Sequence, residues 1–330
     1  MFLRNWCYDV DIFHVEKIGV PVISVGNMTA GGTGKTPMIE YLIRFYLAQK
    51  KNVAVVSRGY KRTTSGMHIV SDGKKCRLTA NEAGDEPYQI AKKFPTVTVI
   101  VDEKRSHGAQ VATTEFGAQV ILLDDAFQHR SIGRTLDIVM IDGSNYSHRT
   151  RMLPAGLRRE PMSGLRRAHA LVVLNNVSKT ELPQFIRTNT SAPVFTMELE
   201  CKRFKYYHEE RSVDVNDLHK RSCIAFAGIG NPDSFKRTIQ DLGLTLSRVI
   251  GFGDHHRYNA SDFKRIHEEM NAAQAEIILT TEKDAMRLTA VAIPDSFPIS
   301  SLVYMEVEPK IISNELQFKQ LLMDTLRNAA

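Results

Sequence analysis

The sequence predicts an α/β fold with a largely parallel sheet: a P-loop domain followed by a second, smaller α/β domain. Three observations carry this. Short, continuously apolar runs rich in Val and Ile alternate with amphipathic segments along most of the chain, the pattern of strands buried on both faces and joined by helices. A glycine-rich loop ending in Gly34-Lys35-Thr36 links the first such run to the first amphipathic segment. Near residue 200 charge crowds the chain, and a second alternating series then begins. A chain of 330 residues suits about two domains at roughly 100–200 residues each.

In chain order, strands are expected at Val20–Val25, Val53–Ser57, Thr96–Asp102, Gln119–Asp124, Asp137–Ile141, Ala170–Leu174 and Val194–Met197. Between the first two, Thr36–Lys50 carries Ile39, Leu42, Ile43, Tyr46 and Leu47 at the spacing of one helical stripe. The interval from Arg58 to Thr96 reads as a polar hairpin-like stretch and then a helix starting near Glu82. The run Cys201–Arg221 reads as a charged linker or a polar two-stranded ribbon. Beyond it, strands are expected at Ser222–Ala227, Ser247–Phe252, Ile277–Thr280 and Ser301–Glu306, with helices near Pro232–Leu242, Ser261–Gln274 and Asn314–Asn328. The expected organisation is a P-loop domain over 1–200, a charged linker over 201–221, and a smaller domain over 222–330 that closes over the site.

Composition excludes several classes. A 43% hydrophobic and 24% charged chain is not globally disordered. It holds no run of about 18 apolar residues to cross a bilayer. Asp9 and Asp11 interrupt the N-terminal segment too soon for a signal peptide. Cys7, Cys76, Cys201 and Cys223 form no C-x-x-C pair, which argues against a zinc site or disulfide scaffold and fits a reducing compartment. The net charge of +6 points to an anionic partner.

The strongest motif is Thr29-Ala30-Gly31-Gly32-Thr33-Gly34-Lys35-Thr36. Glycines let successive N–H groups curl around phosphate oxygens, and the following helix adds positive potential at its N-terminus. Lys35 would reach the terminal phosphates and the Thr36 hydroxyl would ligate Mg²⁺. The strict pattern wants Gly where Thr29 stands. An acidic residue at the end of a neighbouring strand is also needed for the metal, and Asp124-Asp125 supplies it.

Asp124-Asp125-Ala126-Phe127-Gln128-His129-Arg130 resembles the D-D-G-F-Q-H-R signature of the tetraacyldisaccharide 4′-kinase (lipid A 4′-kinase) family, with Ala126 in place of Gly. Further segments are similar to that family in the same order: Ser57-Arg58-Gly59-Tyr60, Gly84-Asp85-Glu86-Pro87, Leu153-Pro154-Ala155-Gly156 with Arg159-Glu160-Pro161, Asp254-His255-His256, and Thr281-Glu282-Lys283-Asp284-Ala285. The resemblance implies a P-loop kinase-like fold. It also implies transfer of the γ-phosphate of ATP to the 4′-hydroxyl of an acylated disaccharide 1-phosphate, with ATP and Mg²⁺ as cofactors. Family members usually carry an additional apolar, aromatic segment ahead of Arg4-Asn5-Trp6. The resemblance also implies a cytoplasmic protein, peripheral at the inner membrane of a Gram-negative-type bacterium, with a lipid substrate and a membrane surface as partners.

The site expectations follow. Asp102, at the end of an apolar strand, is the candidate base, and the family pattern pairs it with His255 of the second domain. Lys35 is the third catalytic candidate. Thr36, Asp124, Asp125 and Glu160 are candidates for the Mg²⁺ shell, and Arg58, Gln128, His129 and Arg159 for the substrate side. The arginines from Arg149 to Arg167 would attract anionic phosphate or headgroups. No nucleic-acid-reading module accompanies them, so no nucleic acid is expected, and no obligate protein partner. Two other readings remain. A partner-binding P-loop GTPase would carry N-K-x-D, whereas Lys283-Asp284 are adjacent. A non-catalytic basic surface protein leaves the P-loop unexplained.

Overall fold

The computed structural model describes residues 2–29, 31–143, 151–174, 184–209 and 211–327. The chain forms two compact units, one of Met1–Leu199 with Pro309–Ala330, the other of Glu200–Glu308.

The first unit opens with α1 (Phe2–Asp9), β1 (Val22–Asn27), α2 (Lys35–Ala48), β2 (Val53–Ser57) and β3 (His68–Asp72). It continues with α3 (Ala80–Ala83), α4 (Asp85–Lys93), β4 (Thr98–Val101), α5 (Arg105–Thr114) and β5 (Val120–Asp124). Then come β6 (Leu136–Asp142), β7 (Ala170–Leu174), α6 (Gln184–Arg187) and the start of β8 (Val194–Tyr206). Its strands lie in the order β8-β7-β6-β1-β5-β2-β4-β3, parallel except for edge strand β3. Every residue of β1, β2, β4, β5 and β7 is buried. That explains their continuous apolar character: a strand covered by helices on both faces has no solvent side. The expected stripe of α2 is realised, with Ile39, Leu42, Ile43 and Tyr46 fully buried. Helix α5 was not expected. It packs through small residues, and a Cβ on Gly108 would stand 3.0 Å from Val56.

The second unit holds the rest of β8, then β9 (Ser212–Val213), α7 (Val215–His219), β10 (Cys223–Ala227), α8 (Pro232–Asp241) and β11 (Leu246–Gly251). It continues with α9 (Ala260–Ala272), β12 (Ile277–Thr281), α10 (Glu282–Leu288) and most of β13 (Leu302–Ile311). Strands β11-β10-β12-β13 are parallel neighbours. Alternation along β10 sends Cys223, Ala225 and Ala227 into one apolar cluster and Ile224 and Phe226 into the other.

The boundaries differ from those expected. The charged run over 201–221 is no free linker but, as the alternative had it, a two-stranded ribbon: the second half of β8 pairs antiparallel with β9, and α7 follows. Its charges are cross-strand partners, Lys202 with Glu308 at 3.1 Å and Lys205 with Glu306 at 3.4 Å, while Phe204 points inward at 1% exposure. A half-buried strand alternates in this way and so carries many charges. The C-terminal helix α11 (Glu315–Arg327), expected in the smaller domain, belongs to the first unit. There the Tyr46 hydroxyl lies 2.9 Å from Thr325 Oγ1, and the Phe318 ring meets those of Tyr41 and Phe195.

Candidate functional site

Parallel pairing aligns the strand ends of the first unit. Val25 is registered with Asp124, Val56 with Leu123, and Ser57 with Val101. The C-terminal ends of β1, β5, β2 and β4 therefore bring together the phosphate loop, Asp124-Asp125, Ser57-Arg58 and Asp102, at the edge where open α/β sheets bind ligands.

The loop is built for close backbone approach. Asn27 Nδ2 donates to Thr33 Oγ1 at 2.8 Å beneath it. Gly34 takes φ 81° and caps α2 without any side-chain bond. The first N–H groups of the helix thus have no internal acceptor, the arrangement that suits an anion. A Cβ on Gly34 would stand 2.6 Å from Leu174 Cδ2, and one on Gly26 would stand 2.5 Å from Phe127 Cβ. Ala30 lies outside the described residues. Thr29 forms a bridge with Arg158, and the Arg159 N–H donates to the Met28 carbonyl at 2.9 Å, so the Arg158-Arg159 segment flanks the loop.

Asp124 is 1% exposed and accepts from Ser57 Oγ at 3.0 Å, while its Oδ1 has no hydrogen-bond partner. Burial, then the negative fields of Glu86 and Asp125, pushes its carboxyl up to about 7, against the pull of Lys35. Asp125 follows in the left-handed region at φ 48°, a conformation rare for a residue with a side chain. Its Oδ1 accepts from Arg159 Nη1 at 2.6 Å and lies 3.7 Å from Lys35 Nζ. Asp124 and Asp125, with one orphaned buried carboxylate oxygen, are donors of the hard oxygen type that suits a divalent cation. Among the described residues no group of three His, Cys, Asp or Glu side chains could hold a metal ion unaided. A cation here would draw its remaining ligands from phosphate and water.

Glu160 is placed differently from expectation. It is fully buried, accepting from Gln128 Nε2 at 2.8 Å on one oxygen and from Asn5 Nδ2 at 3.2 Å and Arg167 Nη2 at 2.7 Å on the other. Gln128 also donates to the Asn27 carbonyl at 2.9 Å. These two side chains tie α1, the end of β1 and the arginine segment together. His129 sits 3.1 Å from Ser131 Oγ. Burial and the guanidinium groups of Arg105, Arg134, Arg4 and Arg58 push its imidazole down to about 4. Arg58 is exposed beside Ser57.

Asp102 directly follows β4, is 4% exposed, and has both its oxygens engaged. Oδ1 accepts from the Lys104 N–H at 2.8 Å and Oδ2 lies 2.7 Å from His107 Nδ1. Two groups that the sequence did not single out by role belong here. Arg105 is 6% exposed, its Nε has no hydrogen-bond partner, and it senses Arg58, Asp124, Asp125 and Asp102. Asp85 and Glu86 open α4 half-buried, after a Gly84 that packs on the Gly59-Tyr60 backbone. The signal for Asp85 and Glu86 was present in Gly84-Asp85-Glu86-Pro87. For Arg105 there was none beyond its position after a strand end.

In the second unit, His255 follows β11 at φ 58°, its Nδ1 3.3 Å from Arg287 Nη2. The neighbouring His256 stacks on Phe252 at 4.7 Å and lies 2.9 Å from Asp262 through Nε2. Of the arginine-rich stretch, Arg149 lies outside the described residues.

Comparison with known proteins agrees with this geometry. The family profile described as LpxK, tetraacyldisaccharide-1-P 4′-kinase, matches residues 1–327. A tetraacyldisaccharide 4′-kinase of Chlorobaculum tepidum is 36% identical over 339 residues, spanning 99% of this chain and 94% of that protein. One of Aquifex aeolicus is 37% identical over 309 residues, spanning 93% of this chain and 91% of that one. The crystal structure of the "apo" form of LpxK from Aquifex aeolicus in complex with ATP superimposes with a TM-score of 0.79 at 34% identity, covering 98% of this chain and 94% of that one. With its phosphate loop, its acidic strand end and a profile match along nearly its whole length, this chain belongs to the tetraacyldisaccharide 4′-kinase family.

Proposed function

We propose that the protein transfers the γ-phosphate of ATP to the 4′-hydroxyl of a tetraacyldisaccharide 1-phosphate, giving the 1,4′-bisphosphate. The observation that carries this is the phosphate loop set against Asp124 and Asp125 within a chain of this family. The loop N–H groups and Lys35 hold the β- and γ-phosphates in line with the incoming hydroxyl. Thr36, Asp125 and Asp124 are the residues that would hold Mg²⁺, which when bound neutralises charge on the phosphoryl oxygens. Arg159 keeps Asp125 directed toward Lys35. Glu160, saturated by protein donors, supports the site from beneath, and Gln128 works with it. His129, neutral at pH 7, adds no charge to its arginine-rich surroundings.

The acceptor hydroxyl must lose a proton to a nearby group. Asp102 is the base in this reading, its Oδ2 held 2.7 Å from His107 Nδ1 and each oxygen keeping a further lone pair for the hydroxyl proton. His255, in the second unit, is the other proposed catalytic residue.

The surface of the first unit suits an anionic bilayer. Helix α1 is inverted: Arg4 and Asn5 hydrogen-bond inward to Gln128 and Glu160, while Leu3 and Trp6 are exposed, as is Val10 just beyond it. Met152, Leu153 and Leu157 are exposed as well, between Arg151 and Arg158. No helix among the described residues is long and apolar enough to cross a membrane. We place the protein peripherally, on the cytoplasmic face of the inner membrane.

The test is direct. Folded protein, Mg-ATP and the tetraacyldisaccharide 1-phosphate in mixed micelles should yield a doubly phosphorylated lipid. No such product from protein that binds ATP would overturn the proposal. Asp102→Asn should reduce kcat far more than it weakens ATP binding; a near-wild-type kcat would remove Asp102 as base.

A further inference from the structure

The inward, polar face of α1 reaches the base of the phosphate loop. Arg4 Nη2 donates to the Gln128 carbonyl at 2.8 Å, and Asn5 Nδ2 donates to Glu160 Oε2 at 3.2 Å. Glu160 is fully buried. Its other oxygen accepts from Gln128 Nε2 at 2.8 Å, and the same amide donates to the Asn27 carbonyl at 2.9 Å. Asn27, also fully buried, is the last residue of β1, and its side chain donates to Thr33 of the loop at 2.8 Å. Asn5, Glu160 and Gln128 thus connect a surface helix to the backbone from which the phosphate loop springs.

A helix of eight residues does not hold itself in water, so α1 depends on what its two faces meet. On the inside, Arg130 lies over the Tyr8 ring at 5.1 Å, donates to the Asn5 carbonyl at 2.9 Å and pairs with Asp9 at 2.7 Å. On the outside, Leu3 is 70% exposed and Trp6 48%. Burying those two side chains in a lipid surface favours the formed helix over its unwound state. The net charge of +6 suits a surface of anionic headgroups. Only the formed helix delivers Asn5 to Glu160. A surface that binds the formed helix therefore discriminates between two states that differ in the support of the phosphate loop, which is the condition for coupling.

We propose that Asn5 is a positioning residue for the phosphate loop, acting through Glu160 and Gln128, and that docking of α1 on an anionic lipid surface thereby tightens ATP binding. This rests on the reading that α1 meets a bilayer, and the experiment separates the two. In calorimetry on the full chain, the Kd for Mg-ATP should fall about fivefold or more once phosphatidylglycerol vesicles are bound, and stay unchanged with phosphatidylcholine vesicles. Reciprocally, saturating Mg-ATP should tighten binding to the phosphatidylglycerol vesicles by the same factor, read from Trp6 emission. Asn5→Ala retains Leu3 and Trp6 and should still bind those vesicles. In neutral mixed micelles it should raise KM for ATP about two- to tenfold with kcat unchanged, and the vesicle effect on ATP affinity should vanish. Vesicles that bind without changing the Kd for ATP overturn the proposal, as does a vesicle effect that persists undiminished in Asn5→Ala. Trp6 emission that neither vesicle shifts overturns the reading beneath it. The lipid-free ATP affinity of Asn5→Ala then decides the positioning alone, and a wild-type value overturns it.

Discussion

Asp124 carries a cost in stability that its own burial imposes. Its carboxyl titrates near 7 in the fold, because it is buried and faces Glu86 and Asp125. An ordinary carboxylate titrates near 4 in the unfolded chain. Between those values the folded state binds more protons than the unfolded one, so stability falls as pH rises through this window, and the full cost stands above about 7. Asp124→Asn keeps the acceptor for Ser57 and removes the charge. Metal-free Asp124→Asn should be more stable than wild type by on the order of 1–4 kcal/mol at pH 8 in urea denaturation, with the gain shrinking toward pH 5, while turnover is lost. Lys35→Ala should abolish transfer without unfolding, since its amine meets Asp125 only at 3.7 Å. The placement of Lys35 and Thr36 at the start of a helix and of Asp124 at a strand end beside them was legible in the sequence. The state of Glu160 and Asp102 was not. Donors from α1 and from Arg167 complete Glu160, and His107 engages Asp102. Nothing along the chain distinguishes a carboxylate saturated by such contacts from one free to bind a metal.

Among the elements, the buried parallel strands were readable because burial on both faces leaves a continuous apolar run. Helix α5 was not, because its Ala and Gly residues pack closely without writing a strong stripe. Strand β8 was ambiguous for the opposite reason: half of it faces solvent, so its cross-strand charges read along one chain as either a linker or a polar ribbon, and the ribbon is what forms. Two element-scale outcomes can be measured. Gly26→Ala places a methyl against Phe127 where β1 enters the phosphate loop. It should lower stability by about 1–3 kcal/mol and weaken ATP binding, read from the urea midpoint and calorimetry. Trp6, the single tryptophan, lies on the outward face of α1. Its emission should shift to the blue with anionic vesicles and much less with neutral ones, and Leu3→Asp should suppress the shift.

For the molecule as a whole, the number of units was readable and their boundaries were not. Helix α11 returns after the second unit to complete the first, and Phe318 is fully buried there against Tyr41 and Phe195. Phe318→Ala, distant in sequence from the phosphate loop, should cost about 3–5 kcal/mol in denaturation measurements and weaken ATP binding with it.

Strand β8 leaves the first unit and β13 re-enters it, and the Ile312 N–H donates to the Thr196 carbonyl at 2.9 Å just inside the crossing. The second unit is thus an insertion in the chain of the first, leaving and returning at neighbouring points. The first unit holds the phosphate loop, both aspartates that follow β5 and helix α11. Replacing residues 200–308 by a tight turn should leave a protein that still binds ATP by calorimetry and no longer phosphorylates the lipid.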